Sequence, residues 1–243
     1  MPVRPLTTAV NCLDLLDLIA AAGAPVRLAD AARLSGQSRA TTYQRLLTLV
    51  TAGWLERLSD DTYRLSLTAC RIANAALEQA GFGDRALPVL QSLTDLTGET
   101  SSLVALENVR LIIAQRVEAR GVLRADLRVG AELSFDDSAS GKVWLAFGPD
   151  DLSERLAAGT GAKLREEERR SIQADGCALG GGGLTLPGIA VLAAPVLDDR
   201  GRCLASLSLV GPETRFDADR LRQPLLAAAE QLRSIFGGRV WRE

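Results

Sequence analysis

The feature that most limits the fold is the stretch SGQSRATTYQRLLTLVTAGWL, residues 35–55, a helical pattern with hydrogen-bonding groups at one end and on one face. At about 100° per residue, Ala40, Tyr43, Leu46, Leu47 and Val50 gather on one arc, and Thr41, Gln44, Arg45 and Thr48 gather opposite. Such a helix needs a small helical body for its apolar arc. Ser38 is a good N-cap and Gly53 a good stop, so the helix is predicted to run from Ser38 to Thr51.

The flanking sequence provides that body. Leu6–Ala22 reads as an amphipathic helix, with Val10, Leu13, Leu16, Leu18 and Ile19 largely on one side and Asp14 and Asp17 on the other, ended by Gly23 and Pro25. A short helix is expected over Leu28–Leu34, stopped by Ser35-Gly36. Beyond the third helix, WLERLSDDTYRL at 54–65 has the alternation of two short strands about a Ser-Asp-Asp turn. Three helices and a hairpin describe an α-rich winged helix-turn-helix, expected over residues 1–65. The Ala-rich run SLTACRIANAALEQAG predicts a linker helix over 66–83, with GFGD at 81–84 as the boundary.

Residues 84–243 read as an α+β domain. A helix over 85–97 precedes strands at 100–107 and 110–118 joined by ENVR. Helices over Ser140–Phe147 and 163–174 come next, then strands Ile189–Leu197 and Cys203–Val210 about DDRG, then a last helix over Ala218–Phe236. Helices at both ends with antiparallel hairpins between them imply an antiparallel sheet covered by helices. The GGGG tract at 180–183 lacks the GxGxxG frame and reads as a flexible loop, a candidate lid.

Several function classes are excluded by what the chain lacks. With no histidine, Ser-His-Asp and Cys-His catalysis and HExxH metal chemistry fall away. The four cysteines, Cys12, Cys70, Cys177 and Cys203, are dispersed without CxxC spacing, so idle thiols are expected rather than a disulfide framework or zinc site. Ser140 and Lys142 read as a helix cap and a solvated lysine, not as a nucleophile and base. No catalytic residue, metal or cofactor is expected. No apolar run reaches the length of a membrane span, and Asp14 and Asp17 argue against a signal peptide, so a cytoplasmic protein without membrane association is expected.

A net charge of −2 gives no global attraction to nucleic acid, so any such binding must be local. Between Ala31 and Leu55 there are three arginines and no acid. Arg and Gln can bridge base edges and Thr offers hydroxyl and methyl, while exposed N–H groups at a helix start favour phosphate. Double-stranded DNA is therefore the expected partner, contacted by Ser38, Arg39, Thr41, Thr42, Gln44 and Arg45, with Gln44 and Arg45 reading bases. Arg57 and Arg64 of the wing are further candidates, although Asp60 and Asp61 at its tip argue against deep insertion. Two other readings stay open: an enzyme with an appended helical domain, and a module that docks on protein.

The chain resembles the IclR family of bacterial transcription regulators. The resemblance rests on LADAARLSGQSRATTYQRLLTLVTAGWLERLSDDTYRLSLTA, DLTGET at 95–100, SASGKVWLAF at 138–147 and GIAVLAAPVLDDRGRCLASLSLVGP at 188–212. It implies a homodimer or dimer of dimers that reads a palindromic operator, and a GAF-like C-terminal domain that binds a small-molecule effector. By the same resemblance the effector contacts are Ala139 and Ser140 in the loop, and Val191, Ser208 and Val210 on late strands. An Asp used by small-carboxylate binders falls in the GGGG tract and is absent, the Cys position is Val191, and one of two Ser is Val210. These changes imply an effector larger and more apolar than glyoxylate or pyruvate, such as an aromatic acid.

Overall fold

The spacing of Thr42, Leu46 and Leu49, one helical turn between successive members, decides how the N-terminal residues pack. In the computed structural model, which describes residues 4–79, 85–119, 128–157, 161–182 and 186–236, the chain forms two units, Met1–Ala76 and Leu77–Glu243. The first contains α1 (Thr7–Ala21), β1 (Val26–Arg27), α2 (Leu28–Ser35), α3 (Arg39–Thr51), β2 (Leu55–Arg57) and β3 (Thr62–Leu65), and α4 (Leu67–Gln79) begins in it. The division falls inside α4, within the segment read as a linker; the GFGD boundary lies outside the described residues.

Leu15 and Ile19 of α1, Ala31 of α2, Leu46 and Leu49 of α3, and Leu55 and Tyr63 of the strands form one core. The three strands pair antiparallel in the order β1-β3-β2. Gly36 takes a left-handed conformation at the end of α2 (φ +64°), a geometry that glycine adopts without steric cost. The expected apolar arc of α3 is wrong by part of a turn. Tyr43 and Leu47 are 40% and 51% exposed and Ala40 is exposed too, while Thr42 is buried with Leu46 and Leu49. Thr42, Leu46 and Leu49 face inward toward α1 and α2, while the larger Tyr43 and Leu47 face out.

The second unit contains α5 (Leu87–Thr97), β4 (Thr100–Glu107), β5 (Arg110–Val117), β6 (Glu132–Leu133), α6 (Ala139–Phe147), α7 (Leu152–Ala157), α8 (Glu166–Asp175), β7 (Ala178–Gly182), β8 (Leu186–Leu197), β9 (Cys203–Pro212) and α9 (Ala218–Phe236). Its six strands are antiparallel in the order β6-β5-β4-β9-β8-β7. On one face Leu103, Leu192, Leu207 and Leu209 pack under α5 and α9. On the other, Val104, Ile113 and Ala193 pack under α6, α7 and α8. The two tight hairpins have local causes: Asn108 is left-handed between β4 and β5 (φ +58°), and Asp198 Oδ1 accepts from the N–H groups of Arg200 and Arg202 at 2.8 and 2.9 Å between β8 and β9.

Gly180–Gly182 corrects the reading of GGGG as a loop and lid. These residues form the end of β7, and Gly180 and Gly181 pair with Val191 and Ala190; residue 183 lies outside the described residues. Polar, side-chain-free strands carry no hydrophobic alternation, so periodicity could not reveal this one. The short β1, β6 and α7 were missed for want of length.

Candidate nucleic-acid interface and ligand site

The start of α3 is fixed by Ser38, whose Oγ accepts from Thr41 N at 3.2 Å and lies 2.9 Å from Thr41 Oγ1. The N–H groups of Arg39 and Ala40 precede the first intrahelical bond, as the opening donors of any helix do. Ser38→Ala should cost about 1 kcal/mol of stability, read by urea unfolding. Thr42 needs a correction: it is 1% exposed and donates to Ser38 O at 3.0 Å, so it braces the helix from within and has no face toward a ligand.

The outward face of α3 presents Ala40, Tyr43, Gln44, Leu47 and Thr48, with Thr41 and Arg45 half-buried at its edge and Arg39 exposed at its start. Thr48 donates its hydroxyl to Gln44 O, so toward a partner it offers mainly a methyl group. With Ala40, Tyr43 and Leu47 exposed, the presented surface is more apolar than the sequence predicts. Among the described residues Arg39 and Arg45 have no ion pair, whereas Arg33 pairs with Asp30 at 3.2 Å.

Both wing arginines are engaged within the wing. Arg57 Nη2 lies 2.7 Å from Asp61 Oδ1, and Arg64 Nη2 lies 2.8 Å from Glu56 Oε2. The Asp61 hydrogen bond and charge raise the pKa of Arg57. Asp60 builds the turn by accepting from the hydroxyl and N–H of Thr62, which hold its pKa down. Both pairs are solvent-exposed and screened, so a phosphate can displace either carboxylate.

The five residues expected to bind an effector converge in the second unit. Ser101 on β4 bonds to Leu90 O of α5, so its neighbour Ser102 faces the α6 side. Two cross-strand rows run over that face. One is Gly180, Val191, Val210 and Thr100; the next is Ala193, Ser208, Ser102 and Arg116. The start of α6 lies over the first row: a Cβ on Gly180 would sit 3.0 Å from Ala139 N. Ala139, Ser140, Ser208 and Val210 are buried and Val191 is half-buried. This face of the sheet is thus apolar at Val191 and Val210 and hydroxyl-bearing at Ser102 and Ser208.

Two expectations about this loop change. The cap of α6 is Ser138, whose Oγ accepts from Gly141 N at 2.9 Å, not Ser140. Lys142 is not solvated; it is half-buried, with Nζ 2.9 Å from Glu168 Oε1. Residues Ser102 and Arg116 escaped sequence reasoning, because their place depends on strand register across segments far apart in the chain. A separate open groove of about 360 Å³, lined by Phe147, Gln173, Pro195, Leu197 and Arg233 among others, shares none of the five residues.

Among the described residues no group of three or more His, Cys, Asp or Glu is placed to hold a metal ion. Burial pushes the thiol pKa of Cys177 and of Cys203 up. Both shifts run away from the low pKa that makes a cysteine reactive. No helix of the described residues is long and apolar enough to cross a membrane.

A winged helix-turn-helix joined in one chain to a separate helix-covered antiparallel sheet is the architecture of a two-domain transcription regulator. Comparison with known proteins agrees: residues 8–59 match the IclR helix-turn-helix domain, and residues 74–234 match the bacterial transcriptional regulator IclR C-terminal domain. The chain is 30% identical over 240 residues to the HTH-type transcriptional regulator BhcR of Paracoccus denitrificans, covering 94% of this chain and 85% of that one. It also resembles the crystal structure of HmgR from Pseudomonas aeruginosa, at 27% identity and a TM-score of 0.75 over 95% of this chain and 97% of that one. An IclR homologue from Microbacterium hydrocarbonoxydans, complexed with 4-hydroxybenzoate, has a TM-score of 0.77 at 20% identity, over 94% of this chain and 98% of that one. The chain belongs to the IclR family, and it is a transcriptional regulator with a DNA-binding and an effector-binding domain, not an enzyme.

Proposed function

We propose that the protein binds a palindromic operator as a homodimer or dimer of dimers, in the cytoplasm, through α3 and the wing, and that a partly apolar organic acid changes its DNA affinity. The reading is carried by one observation: Arg39 and Arg45, which have no ion pair among the described residues, flank an outward Gln44 on a helix whose start is capped. On this reading Arg39 and the first N–H groups of α3 hold phosphate, with Ser38 and Thr41 at the same end. Gln44 and Arg45 read base edges, while Ala40 and Leu47 offer apolar contact to thymine methyls. Arg57 and Arg64 trade their carboxylates for backbone phosphates. Domain limits of 1–65, 66–83 and 84–243 belong to this reading, with α4 carrying the ligand's effect to the spacing of two recognition helices, about 34 Å apart on DNA.

Selection of bound sequences from a random DNA pool, followed by gel shifts at two salt concentrations, tests it. A palindrome is expected, with binding through roughly 6–10 phosphates falling about 10³–10⁵-fold between 50 and 200 mM salt. Gln44→Ala or Arg45→Ala should cost about 1–3 kcal/mol at the selected site and relax base preference. Arg39→Ala should weaken all sequences alike. No specific complex at any salt sinks the reading in favour of protein docking. For the ligand, tight calorimetric binding of a two- or three-carbon keto acid, with aromatic acids silent, overturns the apolar-effector part.

A further inference from the structure

A carboxylate ligand needs a cation or donors to read its charge, and the sheet places one beside the hydroxyls. Arg116 stands on β5 in register with Ser102, which is in register with Ser208. Its neighbour Val117 packs in the cluster under α5 and α9, so Arg116, in register with Ser102, faces the α6 side. The side chain is only 5% exposed, Nη1 lies 3.5 Å from Ser102 Oγ, and Nε lies 3.9 Å from the half-exposed Glu118. Burial lowers its pKa and Glu118 partly opposes this, yet a guanidinium stays charged in any protein.

A second observation comes from the next row of the same face. Ser206 is fully buried, two residues along β9 from Ser208, and its Oγ has no hydrogen-bond partner among the described residues. Trp144 Nε1 of α6 is likewise buried without a partner there, and Trp144 packs in the cluster of Val104, the cross-strand neighbour of Ser206. Buried polar atoms are nearly always satisfied, and arginine is the side chain whose planar fork matches a carboxylate. Charge at one row, apolar floor at another and two orphan polar atoms beside them describe a site for an amphipathic anion.

We propose that Arg116 is the residue that reads the ligand's negative charge, gripping the carboxylate of an organic acid beside Ser102 and Ser208 while the acid's body lies on Val191 and Val210. The inference rests on the ligand-binding reading above and adds to it a specificity-determining side chain. A neutral isostere of the same shape forms no charge-assisted hydrogen bond with the guanidinium and binds more weakly.

The test is calorimetry on the full-length protein with benzoate, 4-hydroxybenzoate and phenylacetate, each against its own amide. At least one acid should bind, with its amide roughly 10–100-fold weaker. Arg116→Gln should weaken that acid by a similar factor and leave the amide unmoved, while Arg116→Lys keeps part of the preference. Each acid-to-amide ratio is taken within one protein, so incomplete folding of a variant cannot imitate the effect; if Arg116→Gln does not fold, the wild type and Arg116→Lys decide. Equal binding of acid and amide to the wild type overturns the proposal and spares the pocket, as does acid binding that ignores both substitutions. If no compound of either series binds, the ligand reading falls with it.

Discussion

Leu46→Ala is expected to remove about 2–5 kcal/mol from the winged-helix unit. Leu46 is fully buried on α3, between α1 and the hairpin, in a core whose other members come from every element of the unit except α4. A unit of this size has a total stability of roughly 4–11 kcal/mol, so a truncation at its centre takes a large share. Because the chain forms two units, two-state treatment of the whole protein is unsafe. The expected signature in a thermal melt is one transition moving down while the other stays. DNA binding should weaken with the moving transition, and ligand binding should not. Equal displacement of both transitions would contradict the assignment of Leu46 to one core.

Gly141→Ala should have the converse effect and act through backbone. A Cβ at Gly141 would lie 2.6 Å from Phe135 Cα, with the Phe135 carbonyl closer still, so no side-chain rotation relieves the clash. The start of α6 and the chain at 135 must separate, at a cost of about 3 kcal/mol or more. Ser138 caps the helix through the N–H of Gly141, so the same displacement breaks the cap. Ligand affinity should fall before the unit unfolds in urea, with DNA recognition by the other unit retained in the absence of ligand. Unchanged calorimetric affinity in this variant would remove the start of α6 from the ligand site.

How much could be read from the chain follows from how locally each feature is encoded. Ser38, Gly36 and the helical runs around them are decided within a turn or two, and α1, α2 and α3 fall within a residue or so of expectation. The facing of α3 was less legible: Tyr43 and Leu47 look like core by size, but the packing partners select Thr42, and only three-dimensional crowding decides between them. The convergence of Ala139, Val191, Ser208 and Val210 came from family resemblance, not from periodicity. Arg116 was invisible because nothing near it in sequence marks which of two sheet faces it takes. The Gly-rich strand β7 was unreadable for the opposite reason, since its pairing uses backbone alone.

Ser102 and Ser208 touch across the middle of the sheet although 106 residues separate them along the chain. Joining such remote segments makes closure slow relative to hairpins formed by neighbours. During synthesis the helix-turn-helix emerges with all of its own contacts long before β9 exists. A nascent or truncated polypeptide that stops short of residue 203 therefore keeps the whole core of its first unit while lacking β9, the strand that joins the two halves of the second sheet.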